Sequence, residues 1–451
     1  MKTKQSCMFF VILLFIISVT VNAQIKRKIE QVAGKEVKTK IWKGREIQFV
    51  RREVAVKIIP SATQTEINKL LETVGGRIIN SFDKLGWGLI ELPFDKDEIL
   101  AVDDLLKLPF VAEAEPNMVT IVFLEPNDPY FQGTSPATYP YQWALKNTGQ
   151  TPPTGTNDAD IDAPEAWNIS TGNANVIIAV LDSGIPMLNG SLSHPDLDDP
   201  NKIIIGRDFI ETLPNDTTVR DEYGHGTHVA GIAAAESNNG TGIAGVAWDC
   251  KIMVIQVFGA YGSGTFSAFY NGVIYAVDYQ RNNPGKKVVI NFSGGGGASQ
   301  QALDAVVYAS TYGVPIIASA GNDYSGPVIY PAAYSSSYTN VIAVSSTDAT
   351  DTFSPFSNQG SQVCVCAPGG YGGYLDGYVY RFNGPAVIGK NIISTTPNYA
   401  FNIAVDPSYP GDPYSTDVTQ NYGYMPGTSM AAPHVLLCLS WNMTFVKLKF
   451  V

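Results

Sequence analysis

The stretch VIIAVLDSG, residues 176–184, decides the fold class of this chain. Its continuous apolar run predicts a strand that is buried on both faces, and strands of that kind belong to parallel sheets covered by helices. Further strands are predicted at residues 252–258, 288–292, 314–320 and 341–345, and helices at 266–279 and 301–312. Because strands and helices alternate, the sequence predicts an α/β fold with a mostly parallel central sheet and helices on both faces.

The composition limits the classes of protein to which the chain can belong. Of its 451 residues, 45% are hydrophobic and only 16% are charged, which is typical of a globular chain long enough for two or more domains. The formal net charge of -11 argues against nucleic acid and anionic membranes as partners, since both repel an acidic surface. It suits an extracellular protein that binds cations.

Three short motifs carry residues suited to nucleophilic catalysis. Asp182 ends the strand at 176–184, at the edge where open α/β sheets place their sites. In GHGTHVAG, residues 224–231, a histidine stands between glycines just before an apolar helix. In GTSMAAPHV, residues 427–435, a serine opens a helix of small residues, where the positive end of the helix dipole suits a nucleophile.

These motifs, in the chain order Asp, His, Ser, resemble those of the subtilisin family of serine endopeptidases. Residues 126–435 as a whole resemble its thermitase-like branch. The resemblance implies that Ser429 is the nucleophile, His225 the general base and acid, and Asp182 the carboxylate that fixes the imidazole tautomer. The chemistry needs all three, because a serine hydroxyl is a weak nucleophile until a neutral imidazole takes its proton.

The same resemblance assigns the groups that bind the substrate. The segment VPIIASAGN, residues 314–322, ends in Asn322, which matches the side-chain donor of the oxyanion hole, with the Ser429 N–H as the second donor. The glycine run at 294–297 follows a predicted strand and is expected to let an extended peptide approach closely. The walls of the primary specificity pocket are assigned to Ser293, Gly294, Gly295, Ala318, Ser319, Ala320 and Gly321, with Ile329 at its floor. Since no acidic residue lines it, we expect a shallow apolar pocket without a strict preference for Arg or Lys.

Calcium is the one cofactor that the resemblance implies, as a structural ion. NDPYF at 127–131 resembles the start of mature thermitase-like enzymes, and HPDL at 194–197 and ESNNGTGI at 236–243 resemble two further parts of a calcium site. The implied ligands are the side chains of Asp128, Asp196 and Asn239 and the carbonyls of Glu236, Thr241 and Ile243. Calcium prefers oxygen ligands of these kinds, although a plain polar loop remains the alternative.

The N-terminal part predicts a secreted precursor. Residues 1–23 combine two lysines, an apolar run and a small residue at position 23, which indicates a signal peptide, with an uncleaved membrane anchor as the alternative. Residues 24–52 are basic and weakly patterned and are predicted to form a solvated leader. Residues 53–125 alternate strands and helices and resemble the inhibitory propeptide of the family, a small α+β domain. We therefore expect a monomeric zymogen whose partners are protein or peptide substrates and its own propeptide, without nucleic acid and without membrane contact after signal removal.

The catalytic domain, predicted at 126–451, departs from the family pattern at its end. After Val435 the bulky LLCLSW follows where small residues are expected, and overpacking a buried helix costs about 1–3 kcal/mol. The sequence therefore predicts a domain that is aberrant from about residue 436, through truncation or a frameshift, and a product of uncertain activity. A catalytically inactive homologue that acts as a binding module, or a non-functional gene product, stays the alternative function. The tyrosine-rich insertion at 396–427 is interpreted as a surface loop or as a substrate-binding element.

Overall fold

The computed structural model describes residues 31–120, 124–134, 141–150, 154–210, 218–371, 391–399, 401–405 and 421–436. Contacts divide the chain into two units, Met1–Phe123 and Leu124–Val451. The predicted signal peptide and the chain after Leu436 lie outside the described residues. None of the described helices has both the length and the apolar character that spanning a bilayer requires.

The N-terminal unit combines an antiparallel sheet with two helices. Its elements are β1 (Gln31–Val32), β2 (Lys35–Trp42), β3 (Arg45–Ile58), α1 (Gln64–Val74), β4 (Arg77–Asn80), β5 (Trp87–Glu91), α2 (Glu98–Leu105) and β6 (Val111–Met118). The first half of β3 pairs with β2, and its second half lies between β5 and β6. The core contains Val54, Leu70, Ile90 and Val102, none of which is exposed, so sheet and helices share one apolar layer.

Residues 31–52 are not the solvated leader that the sequence predicted. They form β1, β2 and the start of β3, and Phe49 is fully buried. The basic composition suggested a solvated segment, but the positive charges have partners within the unit. Lys38 Nζ lies 2.9 Å from Glu98 Oε1, and Lys35 pairs with Glu53. The α+β unit therefore begins before residue 53.

The second unit is built on a sheet of seven parallel strands. They are β7 (Val176–Asp182), β10 (Ile203–Asp208), β11 (Lys251–Gln256), β12 (Lys287–Phe292), β13 (Ile316–Ser319), β14 (Val341–Thr347) and β15 (Val365–Pro368), in the spatial order β10-β11-β7-β12-β13-β14-β15. Two small antiparallel pairs accompany them, β8 (Met187–Leu188) with β9 (Ser191–Leu192), and β16 (Ile392–Thr395) with β17 (Tyr422–Met425). The predicted α/β class with a mostly parallel sheet is confirmed.

Helices cover both faces of this sheet. They are α3 (Pro129–Gln132), α4 (Ala163–Trp167), α5 (His225–Ala234), α6 (Phe266–Asn282), α7 (Gln300–Thr311), a 3₁₀ turn (Ala332–Ser336), α8 (Asn402–Val405) and α9 (Thr428–His434). Every residue of β7 is buried, and its side chains alternate between two cores. Ile178 and Val180 pack in the core that includes α5 and α9, whereas Ile177 and Leu181 pack in the core that includes α6 and α7.

Of the bulky run after Val435, the structure describes one residue, Leu436, which is 1% exposed and belongs to the same core as Met430 and Val435. The expected overpacking stays a prediction. The rest of the aberrant run lies outside the described residues.

Candidate active site

Asp182 and His225 form a pair at the carboxyl edge of the central sheet. Asp182 ends β7 with 1% of its side chain exposed, and His225 begins α5 with 17% exposed. The imidazole Nδ1–H donates to Asp182 Oδ1 over 2.8 Å. Burial by itself lowers the pKa of His225, but the charge of Asp182, the hydrogen bond to it and the charge of Asp221 together outweigh burial, and the pKa is raised above its ordinary value. This arrangement leaves Nε2 as the nitrogen that can take a proton.

A second buried carboxylate, Asp221, supports this histidine, and sequence reasoning missed it. It accepts hydrogen bonds from Ser183 Oγ (2.8 Å) and from the N–H groups of Tyr223 (3.0 Å), Gly224 (2.7 Å) and Thr227 (2.8 Å). Its charge also raises the pKa of His225. Asp221 thereby fixes the turn that leads into α5. The one available signal was an aspartate shortly before a helix start, a common capping position.

Ser429 is the second residue of α9, which packs against β13 and β14. Its hydroxyl donates to the carbonyl oxygen of Ser293 over 3.0 Å, and the Ser293 hydroxyl donates back to Ser429 O over 2.8 Å. The two serines therefore hold the start of α9 against the end of β12. For the hydroxyl proton to pass to His225, the bond to Ser293 O must be exchanged for one to the imidazole.

Asn322 lies just after β13 and is exposed. Its Oδ1 accepts from both the N–H and the hydroxyl of Thr428, each over 2.9 Å. Because two donors occupy the oxygen, the Nδ2 amide group is turned away from Thr428 and is free to serve as a donor. Thr428, which the sequence reasoning passed over, therefore sets the orientation of the Asn322 amide.

The predicted pocket residues come together at the ends of two neighbouring strands. Ser293, Gly294 and Gly295 follow β12, while Ala318, Ser319, Ala320 and Gly321 end or follow β13, and the two strands pair in parallel. Ile329 N donates to Ala320 O over 3.0 Å, which brings Ile329 across the gap between them. A Cβ added to Gly295 would lie 2.6 Å from Ile329 Cδ1, so only glycine fits there. Ile329, an apolar branched residue, therefore lies against the two segments that the sequence assigned to the walls of the specificity pocket.

The predicted calcium ligands also lie close together. Asp128 and Asp196 are both fully buried. Asn239 connects them, since its N–H lies 3.5 Å from Asp128 Oδ1 and its Nδ2 donates to Asp196 Oδ1 over 3.1 Å. Ile243 N donates to Asp196 Oδ2 over 3.0 Å. The loop at 236–243 thus wraps both carboxylates.

The electrostatics of these carboxylates fit a cation. Burial raises the pKa of Asp128 to about 6, and burial, together with the charge of Asp128, raises the pKa of Asp196 to about 7. A bound divalent ion would relieve this cost, because it favours the charged form. Over the part of the chain that is described, no three His, Cys, Asp or Glu side chains cluster to hold a metal. Calcium would therefore depend on carbonyls and on the Asn239 carboxamide, whose oxygen here accepts from Thr241 N over 2.8 Å and would have to turn.

The other histidines of the motifs take structural positions. His228 Nε2 donates to Gly423 O over 3.1 Å, and His434 Nδ1 donates to Met430 O over 2.8 Å. Both are buried, and burial lowers the pKa of His228 to about 3 and that of His434 to about 4. Neutral, buried imidazoles of this kind serve packing rather than proton transfer.

Comparison with known proteins identifies both units. The family model for the fervidolysin N-terminal prodomain matches residues 35–117, and the model for the subtilase family of S8 peptidases matches residues 173–439. The thermophilic serine proteinase of Bacillus sp. (strain AK1) is 34% identical over 393 residues, which are 86% of this chain and 76% of that protein. Thermitase of Thermoactinomyces vulgaris is 38% identical over 275 residues, 61% of this chain and 77% of thermitase. Among solved structures, a protease of Pseudoalteromonas arctica PAMC 21717 matches with a TM-score of 0.51 and 29% identity over 70% of this chain and 86% of that one.

A parallel sheet that carries these residues at its carboxyl edge defines a subtilisin-like serine protease with an N-terminal prodomain. The chain belongs to the subtilase family, and its relatives confirm the thermitase-like resemblance of the catalytic unit.

Proposed function

We propose that this serine protease is an endopeptidase in which Ser429, His225 and Asp182 form the catalytic triad. The observation that carries the assignment is the 2.8 Å bond from His225 Nδ1–H to the buried Asp182. A carboxylate in that position fixes the tautomer that leaves Nε2 as the base and stabilises the imidazolium that forms.

The residues support a two-step reaction. Ser429 Oγ attacks the carbonyl carbon of the scissile bond while its proton passes to His225 Nε2, and the carbonyl oxygen becomes an oxyanion. The Asn322 Nδ2 amide and the Ser429 N–H donate to that oxygen. When the C–N bond breaks, His225 returns the proton to the leaving amine, and an ester of Ser429 remains. Water then attacks the ester with the same proton transfers, which releases the acid and restores the Ser429 hydroxyl.

The substrate is an extended peptide with an apolar side chain before the scissile bond. The backbone at 293–296 follows β12 and is glycine-rich, so a peptide strand can approach it without steric conflict. Ile329 closes the slot for the substrate side chain, so small and medium-sized apolar side chains fit better there than the long side chains of Lys and Arg. The lack of an acidic residue among the slot residues supports the same preference.

Calcium is proposed as a structural ion of the catalytic unit. The side chains of Asp128, Asp196 and Asn239 and the carbonyls of Glu236, Thr241 and Ile243 would hold it, and it would neutralise two adjacent buried carboxylates. The ion would neutralise the carboxylates, and by binding ligands from both places it would hold the segment at Asp128 to the loop at 236–243.

Secretion as a zymogen is proposed from the N-terminal pattern. Residues 1–23 resemble a signal peptide, and the fervidolysin-type prodomain precedes the catalytic unit. Removal of the prodomain near residues 123–127, by the enzyme itself, would release a mature chain that begins close to Asn127.

The test is covalent labelling of the full chain with a fluorophosphonate probe, combined with hydrolysis of a peptide substrate. We expect labelling at Ser429 and complete loss of both labelling and hydrolysis in Ser429→Ala. Ser310→Ala, which changes an exposed serine on α7, serves as the matched control and should behave as wild type. Unlabelled but correctly folded wild-type protein would instead support the inactive-homologue alternative.

A further inference from the structure

Four residues of the tyrosine-rich insertion lie against the turn that delivers His225. They are Tyr399, Phe401, Asn402 and Ile403, and we call them the strap. They follow β16, whose hydroxyl groups also contact the histidine helix: Ser394 Oγ donates to His228 O over 2.8 Å and Thr395 Oγ1 to Thr227 O over 2.7 Å. The sequence pattern left open whether this insertion is a surface loop or a substrate-binding element.

The strap binds three successive backbone carbonyls immediately before Gly224 and His225. The Tyr399 hydroxyl donates to Asp221 O over 2.9 Å. The N–H of Asn402 donates to Glu222 O over 2.8 Å, and the N–H of Ile403 donates to Tyr223 O over 3.1 Å. A turn whose carbonyls all have fixed donors has few ways to move, so the start of α5 is held from outside as well as by Asp221.

Packing adds to these hydrogen bonds at Gly224. Phe401 is 3% exposed, and a Cβ on Gly224 would lie 2.4 Å from its ring. Gly224 has φ of 101°, a left-handed conformation that favours glycine, at the residue directly before His225. The Phe401 ring therefore covers Gly224, the residue of this turn whose backbone has the greatest conformational freedom.

The strap also reaches a second loop. The Asn402 side chain donates from Nδ2 to Ala260 O over 2.6 Å. Gly262, two residues further along that loop, lies against Tyr223, since a Cβ on Gly262 would be 2.4 Å from the Tyr223 ring. Asn402 thus connects the histidine turn, which its N–H binds, to the loop beside it, which its side chain binds.

We propose that the strap is a positioning element for the catalytic base, in which Tyr399 and Asn402 are positioning residues that keep His225 aligned with Ser429. The inference rests on the proposed role of His225 as the base. Alignment of this kind acts on the chemical step, because a small displacement of a catalytic group can lower its rate by orders of magnitude.

The chain offers a matched control for the experiment. Asn398 immediately precedes the strap, and within the described part of the chain its side chain makes two hydrogen bonds, both with Ser193 (2.7 and 3.1 Å), so it reaches neither the histidine turn nor the loop at Ala260. Asn398→Ala and Asn402→Ala therefore remove similar side chains from the same segment. Tyr399→Phe is the mildest variant, because it removes one oxygen atom and keeps the ring stacked 4.3 Å from the Arg220 guanidinium.

Each variant of the full chain is measured for kcat and KM on a peptide substrate, for the labelling rate with a small fluorophosphonate, and for melting temperature. The small probe reaches few subsites, so its rate reports on Ser429 and His225 rather than on peptide binding. We expect Tyr399→Phe and Asn402→Ala to lower kcat and the labelling rate about three- to tenfold with KM unchanged. Asn398→Ala should stay within about twofold of wild type, at a similar melting temperature.

Several results would overturn the inference. Wild-type kcat in Tyr399→Phe, equal losses in Asn398→Ala and Asn402→Ala, or a rise in KM with an unchanged labelling rate would each do so. If Asn402→Ala fails to fold, Tyr399→Phe alone decides. Ser429→Ala is measured in parallel: an active Ser429→Ala would overturn the proposed function, whereas an inactive Ser429→Ala beside a wild-type-like Tyr399→Phe would overturn the strap alone.

Discussion

At the scale of single residues, the base depends on two opposed effects on one imidazole. Burial lowers the pKa of His225, and the charges of Asp182 and Asp221 raise it, with the balance above the ordinary value. Among the residues that the structure describes, Asp182 Oδ2 is buried without a hydrogen-bond partner, so its charge is compensated only in part in the resting enzyme. The negative charge of Asp182 is most stabilising when the His225 imidazolium forms during the reaction.

Asp182→Asn should therefore impair catalysis without unfolding the protein. We expect kcat to fall by about 10⁴-fold, the size of loss that follows removal of this carboxylate in other triad enzymes. Because the neutral imidazole is the active form, activity rises as pH passes upward through the pKa of His225. Loss of the Asp182 charge lowers that pKa, so the acid limb of kcat/KM should move to lower pH. The pH profile of kcat/KM for the purified protein checks this, and Asp278→Asn, at a partly buried carboxylate that accepts from Arg281 and Tyr308, serves as control. An unmoved acid limb would contradict the prediction.

At the scale of elements, the loop at 236–243 joins parts of the chain that are far apart in sequence. Asn238 N donates to Asp128 Oδ2 over 2.7 Å, and Tyr422 OH donates to Asp196 Oδ2 over 3.0 Å, so the start of the unit, the loop and β17 meet around two carboxylates. Without a cation, those two buried charges oppose each other. The loop should then be the first part of the unit to open.

Removal of calcium should lower the melting temperature of the catalytic unit. A ligand that binds only the folded state stabilises it by RT ln(1 + [L]/Kd), about 2.7 kcal/mol at a hundredfold excess over Kd. The measurement is thermal unfolding with calcium and with chelator, in the Ser429→Ala background to prevent self-digestion. Asp128→Asn should abolish the chelator effect. Asp348→Asn should retain it, because Asp348 bonds within its own loop, to Thr350 and Thr352; equal responses in both variants would exclude this site.

The elements also show where sequence patterns were sufficient. The helix and strand interiors of the catalytic unit were predicted closely, as with 288–292 against the observed Lys287–Phe292, because buried parallel strands are continuous apolar runs. Sequence patterns are weak at β6, Val111–Met118, because VAEAEPNM carries two glutamates and a proline. The triad positions were predicted from motifs, and their roles stay a prediction. Asp221, Thr428 and the strap were not found, because their distant partners, Ser183, Asn322 and the histidine turn, come near only in the tertiary fold.

At the scale of the whole molecule, buried histidines couple folding to acidity. His228 and His434 lie in α5 and α9, the two helices that carry the proposed catalytic base and nucleophile, and both are neutral when folded. Their folded pKa values lie well below the value of about 6.5 for an unfolded chain. On unfolding at acid pH each histidine takes up a proton. The contribution that these two neutral histidines make to the free energy of unfolding is therefore present above about pH 6.5 and is lost as pH falls toward 4.

His434→Gln should flatten this acid dependence. Below pH 6.5, each buried histidine makes the free energy of unfolding fall by about 1.4 kcal/mol per pH unit. The variant has one such histidine fewer, so its free energy of unfolding should fall less steeply by that amount. Urea unfolding of the Ser429→Ala chain at pH 8 and at several values down to pH 4.5 measures it. The difference at pH 8 reports lost packing alone, so a difference that is the same at every pH would contradict the prediction.

The alternation along β7 has a consequence for how this protein tolerates insertions and deletions. Successive side chains of Val176–Asp182 enter opposite cores, and the last one orients the base. Deleting a single residue within the strand would either send every earlier side chain to the wrong core or, if those keep their places, put the carboxylate on the other face of the sheet. We therefore expect β7 to tolerate substitution of one apolar residue by another but not a change in its length. Grafting this site onto another parallel sheet requires transfer of the whole strand in register.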